Sequence, residues 1–368
     1  MKLLSIAGDA SCARERKGPH YHLLEEFHRY WKRIDILVPY HPEAKEKRLF
    51  DRVHFHIAPQ NKWDRTRWIK EKGAELIREQ HHDIIAAHDY PPFLHGKGAR
   101  ALSKETGIPH ILEIYHIEGY PKAVNCNEHL RCFLTSCYIK KAWQEAKAIR
   151  VINKTQVPQW LIKQGVPKEK LKLLYSSYTD CDTFLPKDCE KKYDVLFIGR
   201  LVTNKGLFDL LQAVRKLPDV KACIVGVGPL EATLKKFVKK HHLQDRVYFT
   251  GWLETNKELA EHINASRSLV CCSRSEGGPR TTLEAMACAV PVISTAVGTM
   301  PDIILHRKNG LLIDFDAHSL QRELAWLLAH PKEAKKIGLK GRDVALTFER
   351  KKLIKEYALA YQQLAEHK

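Results

Sequence analysis

The sequence predicts an α/β protein built as two doubly wound domains facing each other across a cleft. Three observations predict it. The chain has 368 residues, too many for one ordinary core. Short β-rich runs alternate with amphipathic helical patterns almost throughout, which means parallel strands joined by crossover helices. The alternation pauses once, over 179–194, and then restarts.

The strand candidates of the first half are "LLSIAG", "IDILVPY", "VHFHIA", "DIIAAHD", "HILEIYHI", "AIRVIN" and "LKLLYSS". Helical patterns such as "HYHLLEEFHRYW", "RWIKEKGAELIREQ" and "QVPQWLIKQG" lie between them. The pause, "TDCDTFLPKDCEKKYD", is polar, carries a proline and has no period, as an interdomain linker does. The second half resumes with "DVLFIGR", "VKACIVGVG", "RVYFTGW", "SLVCCSR", "PVISTAV" and "GLLIDF" as strands, with helical patterns between. A helical tail ends in "FERKKLIKEYALAYQQLAEHK". The predicted domains are therefore 1–186 and 187–348, with a terminal helix over 349–368. Ligands of open α/β sheets sit beyond the carboxyl ends of the strands, so the loops there are the places to look.

Composition narrows the partners. Hydrophobic content of 44% is ordinary, but a net charge of +18 is not, and it suggests an anionic partner: nucleic acid, anionic lipid or a phosphorylated ligand. No apolar run reaches membrane-spanning length, and "MKLLSIAGDA" reads as a first strand rather than a signal peptide. The ten cysteines show no disulfide framework, which points to a reducing, cytoplasmic compartment. Cys126, His129, Cys132 and Cys137 cluster, but their spacing fits no standard zinc motif and reads as free thiols on a helix.

Three strand-end loops carry the polar chemistry. In "FIGRLVTNKG" a strand ends at Gly199, and Arg200 and Lys205 follow before a helix. Two cations at a helix start suit a diphosphate, and an ordinary basic surface loop would look the same. In "IVGVGP" Gly226 and Gly228 permit a tight turn, which many loops need without binding anything. In "SEGGPRTTLEAMACAVP", Glu276 lies in a loop after a buried strand, and a helix begins near 280–282. Pro279, Thr281 and Thr282 offer helix-start chemistry, and the free N–H groups there would receive an anion. Gly277 and Gly278 remove side-chain bulk so that backbone can approach a ligand. Alone, Glu284 would merely favour the helix dipole and Glu276 would be solvated. Together the loops supply carboxylates for hydroxyls, and cations with a helix end for phosphates.

Five segments carry a family resemblance: "FIGRLVTNKGLFDLLQAV", "IVGVGPLEATL", "VYFTGWL", "SRSEGGPRTTLEAMACAVPVIST" and "KNGLLID". Their order and spacing resemble the nucleotide-sugar-binding domain of retaining glycosyltransferases of family 4, whose two-domain arrangement is called GT-B. The resemblance implies that Arg200 and Lys205 contact the donor diphosphate, Glu276 the transferred sugar and Glu284 the ribose. It places the backbone of Gly277, Gly278, Pro279, Arg280, Thr281 and Thr282 against sugar and phosphate, Trp252 and Leu253 beside the base, and Gly199 and Gly226 at the donor strand ends. The first half matches less closely: where the family usually has a Gly-Gly loop after the first strand, only Gly18 stands in "CARERKGPHYH". "ILEIYHIEGYP" is similar to the segment whose histidine lines the reaction centre, which nominates His116, with Glu118 beside it. His88 and Asp89, in "AAHDY", are expected to face the cleft as well. Ala289 stands where a glycine is common, which reads as a small packing change.

The implied reaction moves a sugar from a nucleoside diphosphate to a glycan or lipid-linked acceptor bound by the first domain, with retention of configuration. His116, Glu276, Arg200 and Lys205 are the catalytic candidates, and the terminal helix is expected to pack back on the first domain. No cofactor is implied, and without an Asp-x-Asp at a strand end no metal is expected. A GT-B-fold epimerase, a sugar phosphorylase and a non-catalytic binding protein on a transferase scaffold are the alternatives; retention of both glutamates, Arg200 and Lys205 argues against the last. The segments "RERKGPHYH", "FHRYWKR" and "KWDRTRWIK" interleave cations with aromatics, which suits an anionic membrane surface better than nucleic acid. The protein is thus expected in the cytoplasm, with peripheral contact at the inner face of the membrane.

Overall fold

The computed structural model describes residues 1–366; the last two residues of the predicted terminal segment, 367 and 368, lie outside them. The first sheet holds β1 (Lys2–Ile6), β2 (Arg33–Val38), β3 (Lys47–Leu49), β4 (Val53–Ile57), β5 (Ile84–His88), β6 (His110–Ile114), β7 (Ala148–Val151) and β8 (Leu171–Leu173) in the order β3-β4-β2-β1-β5-β6-β7-β8. The second holds β9 (Val195–Ile198), β10 (Ala222–Val225), β11 (Val247–Gly251), β12 (Leu269–Cys271), β13 (Val292–Thr295) and β14 (Leu311–Ile313) in the order β11-β10-β9-β12-β13-β14. Each strand candidate appears. The addition is β3, three residues from a charged stretch that pair antiparallel with β4 at the sheet edge. Every other pair is parallel, because each strand is reached by a crossover. The central strands are buried on both faces by helices, which is why they read as nearly continuous apolar runs.

The strand orders locate the crevices. The chain reverses direction across the sheet between β1 and β5 in the first domain and between β9 and β12 in the second. Loops leaving neighbouring strands to opposite faces open a gap at such a point. The two gaps face each other, and the domains touch beside them. Asp302 accepts from Lys154 N and Thr155 Oγ1, both at 2.6 Å, Gly298 N donates to Gln156 at 2.7 Å, and Ser177 Oγ donates to Gly278 O at 2.6 Å.

The terminal helix Arg350–Glu366 returns to the first domain. It buries Leu353, Ile354, Tyr357, Ala358, Tyr361 and Ala365, a stripe of helical period. Tyr357 stacks on Phe27 at 4.5 Å, and Gln362 donates to Tyr30 O at 2.6 Å. Its tyrosines also meet a buried charge. Glu113 and Arg150 are cross-strand partners on β6 and β7, and Glu113 Oε1 accepts from Arg150 (2.8 Å), Tyr357 (2.9 Å) and Tyr361 (2.6 Å).

Ala289 corrects the sequence reading. It lies at φ 56°, just past the helix Arg280–Ala287, inside paired bonds from Val290 N to Ala285 O and from Ala289 N to Met286 O. This helix end calls for a left-handed residue, normally glycine, because an alanine Cβ crowds the following carbonyl there. The departure is therefore backbone strain rather than packing. Ala289→Gly is expected to raise unfolding free energy by about 1 kcal/mol, read from denaturant melts.

Candidate active site

The second-domain crevice is built from the loops after β9 and β12. Gly206, at φ 66°, lets the first loop press on the second: a Cβ there would come within 2.1 Å of Cys272 O. Asn204 then joins the loops, donating to Ser275 O (2.9 Å) and accepting from Ser275 N (3.1 Å). This closeness brings Lys205 onto Glu276, where Nζ pairs with Oε1. Ser273 Oγ donates to the same oxygen at 2.9 Å, and Thr295 Oγ1 fixes Ser273 O at 2.7 Å. Lys205 and Glu276 keep 21% and 17% of their side-chain surface, so they are held by the protein yet open on one side to a ligand. The Arg200 side chain is exposed and forms no hydrogen bond or ion pair with the described residues, which leaves a full guanidinium available nearby.

The helix Arg280–Ala287 starts immediately after this loop. Pro279 is its N-cap and gives no side-chain cap. Thr282 is buried, and its hydroxyl donates to Pro279 O at 2.5 Å, so it does not cap the helix-start N–H groups. Those donors and the helix dipole remain for an anion. Arg280 lies over the Tyr178 ring at 4.8 Å.

Glu284 sits on the same helix, buried, and its carboxyl has no hydrogen-bond partner among the described residues. Burial pushes its carboxyl up to about 7; Arg280 opposes this and Asp180 adds to it. The folded protein holds a proton that an unfolded glutamate, with its ordinary value of 4.5, would release. Stability therefore falls as pH rises from about 4.5 to about 7. Glu284→Gln is expected to stabilise the free protein by about 3 kcal/mol above that window and by nothing below it, read from melts at several pH values.

Across the cleft, His116 follows β6 by two residues and is exposed to the gap. The surrounding protein pushes its imidazole below its ordinary value, against the pull of Glu276 and Glu118, and Lys205 adds to the lowering. It is thus a neutral hydrogen-bonding group facing the Lys205–Glu276 pair. Beside Tyr115, a cavity of about 290 Å³ opens at the β1/β5 crevice. Asp9, His20, His88, Tyr115 and Arg280 are among its lining residues. His88 stacks on Tyr115 at 4.3 Å, and burial brings its pKa down to about 4. His20 Nδ1 is buried without a partner.

Several expectations change. Asp89 does not present its carboxylate to the cleft: it is buried, and Oδ1 accepts from Gly96 N at 2.9 Å at the start of the helix Leu94–Thr106. Gly277 and Gly278 admit the other domain, since Cβ atoms there would meet Tyr115 O at 2.7 Å and Ser177 Oγ at 2.6 Å. Gly226 has a packing reason too, because a Cβ would lie 2.0 Å from Gly199 O. Gly18 caps the helix Pro19–Phe27 at φ −98°, with open space where a Cβ would stand, so nothing local demands glycine. Trp252 is 66% exposed, and Leu253 packs against the core. Cys126 and Cys137 are exposed free thiols, Cys132 is a half-buried one, and no group of three metal-binding side chains occurs among the described residues.

Sequence reasoning missed Ser273, Asn204, His20 and the Glu113–Arg150 pair. Ser273 and Asn204 look like ordinary loop residues, and His20 like an ordinary helix residue. The pair had a signal: opposite charges inside the neighbouring apolar runs "HILEIYHI" and "AIRVIN".

Two facing doubly wound domains, each with a crevice at its switch point, are the GT-B arrangement. The comparisons agree. Residues 186–344, most of the second domain, match the model of the glycosyl transferases group 1. An uncharacterized glycosyltransferase of Methanocaldococcus jannaschii is 27% identical over 308 residues, 80% of this chain and 79% of that one. N-acetyl-alpha-D-glucosaminyl L-malate synthase of Bacillus anthracis is 32% identical over 177 residues, 47% of this chain, which spans only 46% of that relative's length. Sucrose-phosphate synthase of Thermosynechococcus elongatus superposes over the whole of both chains with TM-score 0.83 at 19% identity. Anabaena HepE, solved with UDP-glucose, superposes over 99% of this chain and 100% of its own with TM-score 0.78 at 17% identity. At such identities the likeness speaks for the fold.

Proposed function

We propose that the protein is a retaining glycosyltransferase that moves a sugar from a nucleoside-diphosphate donor to a glycan or lipid-linked acceptor. The observation that carries this reading is the Lys205–Glu276 pair at the β9/β12 switch point, facing His116 across the cleft. The solved complex of HepE with UDP-glucose supports the donor class by analogy of fold.

In this reading Arg200, Lys205 and the uncapped start of the helix Arg280–Ala287 receive the diphosphate. Their positive charge stabilises the negative charge that develops as the sugar–phosphate bond breaks. Glu276 accepts hydrogen bonds from sugar hydroxyls, with Lys205 and Ser273 holding it oriented. Glu284 accepts from the ribose hydroxyls, which would pull its pKa down and release a proton on binding near pH 7. The acceptor hydroxyl, bound on the cavity side, attacks the anomeric carbon from the face the phosphate leaves. A new carbon–oxygen bond forms as the old one breaks, and the acceptor proton passes to the leaving phosphate. Neutral His116 hydrogen-bonds the sugar at that point. Protein cations serve the departing charge, so turnover is proposed to survive chelator. Contacts between the domains beside the site keep water from the donor.

The test is a panel of nucleotide sugars with a chromatographic readout of nucleoside diphosphate and transferred sugar, Glu276→Ala serving as control. Absence of donor binding throughout, or equal turnover by the variant, would remove this function.

A further inference from the structure

The cation-and-aromatic segments nominated by the sequence differ in exposure: Trp63 in "KWDRTRWIK" is 67% exposed. In "FHRYWKR" Phe27 and Trp31 are core residues at 3% and 1% exposure. A continuous apolar surface lies on the helix Cys126–Glu145. Its inner face buries Thr135, Ile139 and Ala142. Its outer face carries Leu130, Phe133 and Leu134 at 55%, 63% and 47% exposure. With exposed Cys126 and Cys137, these occupy positions i, i+4, i+7, i+8 and i+11, one continuous stripe about 16 Å long at the helical rise. A soluble helix normally turns such a stripe inward, and an outward one needs a partner.

The charges around it select the partner. Lys140 and Lys141 are exposed at the end of the stripe and form no ion pair with the described residues. The nearby acids are engaged: Glu118 by Arg131 at 2.6 Å, Glu145 by Arg100, and Glu128 by Val124 N at 2.8 Å. The face is thus apolar with uncompensated positive charge, on a chain of net charge +18. A second copy packed parallel would bring lysines against lysines, whereas an anionic bilayer satisfies both features.

The stripe is also placed next to the chemistry. The loop from His116 folds back on the first turn of this helix, where a Cβ at Gly119 would lie 2.8 Å from Glu128 O. We infer that the helix Cys126–Glu145 seats the protein on an anionic membrane, with Leu130, Phe133 and Leu134 at the headgroup boundary and Lys140 and Lys141 on the lipid phosphates. His116 then opens beside the bilayer, where an acceptor carried on a lipid would arrive. That last step rests on the transferase reading; the docking does not.

The test uses the full chain and vesicles of phosphatidylcholine alone or with about one third phosphatidylglycerol, sedimented over a salt series. Binding is expected only with the anionic lipid, weakening as salt rises. Leu130→Ser with Phe133→Ser and Leu134→Ser should lower it about tenfold or more, and Lys140→Glu with Lys141→Glu should do the same at low salt. All five positions are exposed, so the melting temperature and nucleoside-diphosphate binding should stay at wild-type values. Wild-type indifference to anionic lipid, or unchanged binding by both variants, overturns the proposal. So does loss of a dimer in the serine variant without any vesicle binding. Vesicle binding by a protein that turns over no nucleotide sugar would sink the transferase reading and leave the docking face standing.

Discussion

Alanine at Glu276 is expected to lower kcat by about a thousandfold while the melting temperature moves little. The carboxylate touches the place where a sugar would sit, and its loss also leaves Lys205 without the partner that aims it. Lys205→Ala should cost about 10²- to 10³-fold for the complementary reason, since one cation facing the leaving phosphate is gone. The two residues act as a unit, so the double variant should be scarcely worse than the worse single one. Each side chain keeps about a fifth of its surface in solvent, which limits the effect on folding to roughly 1 kcal/mol. Kinetics on the two single variants and the double variant, with melts alongside, check all of this. Multiplying losses would mean that the pair is incidental.

Removing Glu113 should have the largest effect on stability. Burial alone would raise its pKa, but Arg150 and the tyrosine hydroxyls outweigh that and hold it down at about 2. Tyr115 donates to its other oxygen at 2.9 Å. Arg150 is itself buried, lying 3.8 Å from the Tyr357 ring centre and donating to Leu174 O and Tyr175 O. Glu113→Ala strands that guanidinium in the core, and the expected cost is about 3–5 kcal/mol. Because the tyrosines come from the terminal helix, the helix should loosen first, seen as faster amide exchange over 350–366. The pH dependence has a definite sign. The folded pKa is lowered, so the stabilisation is complete above about 4.5 and is lost as pH falls towards about 2. Glu113→Gln should remove that acid slope, and an unchanged slope would show that other groups produce it.

These cases show how legible the chain was. Strand and helix alternation, the pause over 179–194 and the loops after β9 and β12 were readable, because they depend on residues near one another in sequence. So was the nomination of Lys205 and Glu276, since strand ends of parallel sheets are where ligands go. Glycine was legible only as a symbol: Gly226, Gly277 and Gly278 read as ligand loops, yet each meets a neighbour from a distant stretch of chain. Asp89 likewise looked open to the cleft until a helix start claimed it.

By itself, then, the sequence determined two doubly wound domains, the loops that end their strands and the residue types those loops offer, because periodicity and turn chemistry are local. Tertiary structure alone decided that Lys205 meets Glu276 across 71 positions, that Glu113 anchors the terminal helix across 244 and more, and that an outward stripe lies at 130–134. Those outcomes depend on which faces the packed sheets and helices bury, and burial is a property of the whole assembled chain, not of any segment read alone.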